Sequence, residues 1–498
     1  MRIFITGKRC LLICSLLPLF SLSSGWALAG QKKPAQSSME LLNLLAFGGV
    51  GQLKYQMGGE PGGEALSVDD SAWPSTFPGF KWREANTNVW LRTTMTIPEK
   101  IGGFSLVGRR MTLRLYIDNG GDVFVNGKLL GSFEWGPEEF VISESLQAGD
   151  RIVLAVRAIN RPGWGKVSEF SVTFSDMADF QARLQDKVWG LLIAQRVAQK
   201  LSDRPEHWLA EIDKTTERLM ACKELQNGDE QGFLAAFDRE SAGLGALQQE
   251  IKKKYQLYCA GYSHMDLAWM WPWEESVEMV RNTTQSVFNI MERFPDFKYS
   301  MGQAHAYEWL EQQDPNLFAQ IREKIQQGKW EIVGGQWVEP DGNLPSGESF
   351  VRQSLYGKRY FRKKFGVEVK IGWLPDSFGF NWNLPQILSR SGYTGIVVTR
   401  VDLKDSRDFP HRLFWWQGPD GSKLAAYVMR DGYMHDLTGE QLVDFIAEEK
   451  KELNIGKELV LYGVGNHGGG PTMTMLERAL RAQTAPAFPE MSLSYAEN

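Results

Sequence analysis

Apolar and polar positions along the chain fall into three successive patterns. From about residue 40 to 177 they alternate in short runs at 89–97, 111–117 and 151–159, the signature of half-buried strands. Between Asp122-Val-Phe-Val and Lys128-Leu-Leu stands Asn126-Gly127, which predicts a two-residue hairpin. Short strands broken by turns predict an antiparallel β-sandwich over 40–177, with Trp73, Trp82, Trp90 and Trp135 as packing residues. From 178 to 254 the period lengthens: Phe180, Leu184, Val188, Leu191, Leu192 and Val197 recur at helical spacing and predict a helical connector. From 255 to 498 strands and helices alternate, with strands expected at 257–262, 299–303, 330–334, 367–373, 394–399 and 459–463. That alternation predicts an α/β domain built on a parallel sheet, open or barrel-like, whose ligand site lies beyond the carboxyl ends of the strands.

Composition changes this picture little. At 43% apolar and 23% charged, the 498 residues read as folded globular domains, and a net charge of −5 argues against nucleic acid as a partner. The first residues do change it. Arg2, Lys8 and Arg9 precede an apolar run at 11–20, and Ala27-Leu-Ala29 has the form of a cleavage site. Residues 1–29 are expected to be a signal peptide, giving an exported protein, periplasmic or extracellular, with no stable membrane span after processing. Residues 31–39 read as a polar tether. Cys10 and Cys14 would leave with the leader, and Cys222 and Cys259 make no disulfide framework or metal motif.

Candidate chemistry begins at GYSHMDLAWMWPW, residues 261–273. His264 and Asp266, two apart at a strand exit, point to one side of the backbone. Asp376 in Leu-Pro-Asp-Ser-Phe-Gly and His467 in Gly-Val-Gly-Asn-His-Gly-Gly-Gly end two further strands. Two imidazoles and two carboxylates meeting there would form a nitrogen-and-oxygen site suited to zinc or a related divalent ion. Trp269, Trp271 and Trp273 follow at once, and aromatic rings beside a polar cluster suit the apolar face of a sugar.

The segments HMDLAWMW, GKWEIVGGQWVEPDGNLPSGESFVRQ, WLPDSFGF and GVGNHGGGPT resemble, in order, signatures of glycoside hydrolase family 38, the retaining zinc-dependent α-mannosidases. The features WLRTTMTIP, FVNGKLLG and GDRIVLAVRAIN resemble the galactose-binding-like sandwiches found before many glycosidases. The family resemblance implies a seven-stranded-barrel-like catalytic domain and one Zn2+ held by His264, Asp266, Asp376 and His467. Asp376 would also be the nucleophile. The resemblance puts Trp269 and Arg400 at the substrate, with Trp337, Glu339 and Asp341 in a loop that lines the pocket. For the acid/base it favours Asp436, with Asp431 as the alternative. The implied substrate is a mannose-bearing oligosaccharide or glycan.

Two departures from the family stand out. Asn466 and Gly468 flank His467, where the family usually has an acidic neighbour. Family members also continue into a helical bundle and β-domains, so the chain is expected to be part of a longer enzyme. Two other functions stay open: an inactive carbohydrate-binding fragment, and another metal-dependent hydrolase such as a deacetylase.

Overall fold

The alternation at Met111–Ile117 becomes a strand whose odd positions are buried and whose even positions face outward, as period-two geometry requires. A computed structural model describes residues 37–50, 53–58, 62–76, 80–82, 87–117, 120–134, 137–159, 165–401, 411–429, 432–452, 456–465 and 469–496. The expected leader at 1–29, Trp135, Asp431 and His467 lie outside these residues. Ser38–Asn498 pack as one compact unit.

The N-terminal strands build two facing antiparallel sheets, one of six strands and one of four. The predicted hairpin joins Gly121–Val125 to Lys128–Phe133, with Asn126 at φ 51° and Gly127 at φ 78°. A turn with two left-handed residues matches the strands' own twist, and Asn-Gly is the pair that adopts it with least strain. Trp82 and Trp90 are buried, as packing residues should be.

The start of the chain departs from expectation. Ser38–Phe47 is a helix, where a tether followed by strands was predicted. Leu-Leu-Asn-Leu-Leu-Ala offers no alternation, so the segment buries Leu42, Leu44, Leu45 and Ala46 instead. Its last carbonyls are met by Gln181 Nε2, donating to Leu45 O at 3.2 Å, and Gln185 Nε2, donating to Ala46 O at 3.0 Å.

Five helices follow, from Ala178–Leu201 to Gly245–Lys254, and lead into the α/β region. There the strands form two sheets rather than the single seven-stranded barrel-like sheet expected. The first runs Trp330–Ile332, Tyr299–Met301, Gln256–Tyr262, Lys457–Tyr462, with Glu490–Leu493 also on Gln256–Tyr262, all parallel. The second runs Ile371–Leu374, Gly395–Val398, Lys423–Val428, Leu413–Gln417, and its last strand is antiparallel. Gly334 N donates to Ile371 O at 3.1 Å where the two meet. The strand expected at 367–373 begins only at Ile371. Gly366 ends the preceding helix at φ 72°, and Glu368 is held by Lys358 and Arg362 of that helix, which keeps 367–370 out of the sheet.

Polar contacts fasten the connector to the α/β region: Trp189 Nε1 donates to Glu440 at 2.6 Å, and Arg196 Nε and Lys200 Nζ reach Asp444 at 2.7 and 2.5 Å. One apolar core runs continuously from Leu42 through sandwich and connector to Met491. Among the described residues no helix is long and apolar enough to cross a membrane.

Candidate metal centre and active site

Strand Gln256–Tyr262 ends at a buried Ser263-His264 step, and the chain then turns through Asp266. His264 Nε2 lies 3.3 Å from Asp266 Oδ1 and 3.5 Å from Asp376 Oδ2, which projects just past the end of strand Ile371–Leu374. One ligand atom from each of the three residues lies within 4.8 Å of the others, a spacing one cation can span. The opposite ring nitrogen, Nδ1, stands 3.5 Å from Glu339 Oε2 and 3.5 Å from Tyr262 Oη. A carboxylate behind the imidazole is the usual means of fixing a ligand histidine's orientation and tautomer.

Glu339 does a second job: its Oε1 accepts from Asp376 N at 2.7 Å, holding the backbone that carries Asp376. Gln303, at a left-handed φ of 64°, ties the same parts together, donating to Met265 O at 2.8 Å and accepting from Glu339 N at 3.1 Å. Arg400 Nε and one terminal nitrogen reach Asp376 Oδ1 at 2.6 and 2.5 Å, leaving Oδ2 directed to the histidine. The rings of Tyr433 and His264 lie 4.4 Å apart.

The electrostatics are those of a cation site. Burial works against a charged His264, yet Glu339, Asp266 and Asp376 outweigh it and push its pKa up to about 10. Burial, opposed by His264, raises Glu339 to about 7. Burial also disfavours ionised Asp376, but His264 and Arg400 overcome it and hold the carboxyl below its usual range. Without a metal, a proton on His264 and the Arg400 guanidinium oppose the negative charge gathered there. A divalent ion fits the donor set, since it can supply the opposing charge directly.

His264, Asp266, Glu339, Asp341 and Asp376 line one cavity of about 280 Å³. Asp341 is engaged in its own loop, Oδ1 accepting from Asn343 N at 2.8 Å and Leu344 N at 2.7 Å. Other predicted residues lie apart from the cavity wall. Trp269 is 58% exposed and packs edge-on against Trp271 at 5.5 Å. Trp337 turns away to His305, 5.4 Å between ring centres. Asp436 is buried and lies 3.4 Å from Lys166 of the sandwich strand Gly165–Phe174. The loop carrying His467 is seen at its flanks, where Gly465 N donates to Gly469 O at 3.0 Å. A Cβ on Gly470 would lie 2.4 Å from Ser263 Oγ, so this flank closes directly against the residue preceding His264.

Sequence reasoning did not find Tyr262, Gln303 and Tyr433. Only Tyr433 carried a signal, lying between the two acid/base candidates in MRDGYMHDL.

Residues 254–498 match the glycosyl hydrolases family 38 N-terminal domain. The chain is 35% identical over 448 residues to alpha-mannosidase G of Dictyostelium discoideum, covering 86% of this chain and 41% of that protein. Against alpha-mannosidase 2C1 of Homo sapiens identity is 29% over 421 residues, covering 81% and 40%. A crystal structure of an alpha-mannosidase from Enterococcus faecalis V583 superposes at a TM-score of 0.42 and 22% identity, covering 49% of this chain and 28% of that one. The chain thus spans about 40% of the length of the curated relatives it matches.

Proposed function

Through residues 254–498 this chain belongs to glycosyl hydrolase family 38, and from that membership we propose that it hydrolyses terminal α-linked mannose in oligosaccharides or glycans with retention of configuration. The observation that carries this reading is the convergence of His264, Asp266 and Asp376 within 4.8 Å, with Arg400 on the far oxygen of Asp376. The adjoining cavity of about 280 Å³ is at the small end for ligand pockets and suits one sugar ring.

Zn2+ is the proposed ion, with His467 as fourth ligand; bound there it would supply a fixed positive charge at the sugar's hydroxyls. Asp376 is the nucleophile. Its carboxylate attacks the anomeric carbon as the glycosidic bond breaks, giving a covalent glycosyl-enzyme. Arg400 keeps it ionised, the form a nucleophile needs, and Glu339 holds its backbone in place. The proton for the leaving oxygen comes from Asp436 or Asp431, which then takes one from the water that releases the sugar. Trp269 and Trp337 contribute through longer substrates, beyond the cavity that Asp341 lines.

The test is hydrolysis of 4-nitrophenyl α-mannoside by the zinc-loaded chain, with the first-formed anomer read by NMR. Turnover should disappear in Asp376→Ala and on chelation. Hydrolysis that survives Asp376→Ala would overturn the reading, and release of acetate from an acetylated sugar would assign another hydrolase class. We further propose that residues 1–29 direct export; a mature chain beginning at Gly30, recovered outside the cytoplasm, is the expected product.

A further inference from the structure

The loop that lines the His264 cavity with residues 338–341 presents the residue before it, Trp337, to a second and larger cleft. This cleft, of about 650 Å³, is lined by Trp337, Tyr356, Arg359, Tyr360, Arg362 and Lys363. Five of the six lie on the helix Gly347–Phe365, which carries six cations and a single acid, Glu348.

Four of those cations are neutralised. Arg352 pairs with Glu348 at 2.9 Å, Lys358 with Glu368 at 2.9 Å, Arg362 with Glu368, and Lys364 with Glu311. Arg359 and Lys363 make no ion pair or hydrogen bond with any described residue, and they sit four apart, on one face of the helix, at the cleft. Aromatic rings line the same cleft: Trp337 and Tyr360 meet edge to face at 6.0 Å, and Tyr356 is 46% exposed. A solubilising surface needs neither a concave wall nor three aromatic rings. Two unbalanced cations lining one cleft with three aromatic rings, on a chain of net charge −5, are suited to a small anion joined to a ring with an apolar side.

We propose that this cleft is a second saccharide site that takes a sugar bearing an anionic group, phosphate or carboxylate. Arg359 and Lys363 pair with the anion, and the aromatic rings lie against the sugar. The cleft and the cavity share one loop, so the anionic sugar would be a further arm of the glycan whose terminal mannose enters the His264 cavity; that part rests on the mannosidase reading.

The experiment titrates the intact chain with mannose 6-phosphate, glucuronic acid, mannose and inorganic phosphate by calorimetry. At least one of the two anionic sugars should bind saturably and at least tenfold tighter than both mannose and inorganic phosphate. Which of them binds tighter separates a phosphate ligand from a carboxylate ligand. R359E/K363E, at two exposed positions, should weaken that binding at least tenfold, and Y356A should weaken it while leaving 4-nitrophenyl α-mannoside turnover unchanged. Unaltered binding in R359E/K363E, or inorganic phosphate binding as tightly as either anionic sugar, would overturn the proposal. Anionic-sugar binding without turnover of any mannoside would leave the site standing and remove the mannosidase reading instead.

Discussion

His264 is buried among three acidic side chains, and its protonation is decided by what else can offset their charge. In the metal-free protein a proton does so, with a pKa of about 10. A metal must displace that proton, so apparent zinc affinity should rise about tenfold per pH unit below this value. Titrating zinc in buffers of different ionisation enthalpy should show about one proton released per ion at neutral pH, and His264→Ala should abolish that release. The sign for stability runs the same way. A histidine whose pKa is raised from 6.5 to about 10 on folding stabilises fully below 6.5, and that contribution is lost as pH climbs toward 10. At this scale the clustering of His264 with Asp266 was legible, because His-x-Asp at a strand exit puts both side chains on one side of the backbone. Tyr262, Gln303 and Tyr433 were not, since a residue that merely leans on a ligand obeys no spacing rule.

Among the elements, the loops after the strands set the geometry of the site. A Cβ on Gly342 would fall 1.8 Å from Gly379 O, so the loops bearing Asp341 and Asp376 meet backbone to backbone. Asn343 Nδ2 fastens the same junction, donating to Phe378 O at 2.5 Å. Gly342→Ala should push them apart and lower kcat/KM about a hundredfold, the usual cost of misplacing a reacting group by roughly an ångström. Circular dichroism should be unchanged. Between the two α/β sheets, Glu458 of Lys457–Tyr462 accepts from Tyr427 of Lys423–Val428 at 3.0 Å, and burial, then Glu449, raises its pKa from 4.5 to about 7 despite Tyr427 and Arg412. Between those values the folded chain holds a proton that the unfolded chain has lost, so stability should fall as pH rises from 4.5 to 7. Glu339 contributes a slope of the same sign, so Glu458→Gln should reduce the slope in urea titrations across the window by about half.

Over the whole molecule, the sandwich, the connector and the first α/β sheet share the largest apolar core, with smaller clusters on the second sheet, and Trp189 pins the connector to the α/β region. Its indole donates to Glu440 and carries the Arg481 guanidinium 4.3 Å above its ring. Trp189→Ala removes these contacts and should cost about 3 kcal/mol. With a common core, calorimetry should record one unfolding transition that moves to lower temperature as a whole, where independent domains would give separate ones. Asp436 belongs to this scale too, since its neighbour Lys166 comes from the sandwich, 270 residues earlier in the chain.

Local rules determined the elements of this protein and the residue types of its site. Period two gave the strands, Asn126-Gly127 gave its turn, and the strand-end His, Asp and Asp were placed before any coordinates. Those features depend on neighbours within a few residues. Tertiary structure alone decided that the nine α/β strands among the described residues divide into two sheets, that Ser38–Phe47 coils into a helix against Gln181 and Gln185, and that Trp337 faces a separate cleft. Each outcome depends on which distant surface is available to bury a given face, and a side chain's spacing in the sequence carries no record of that surface.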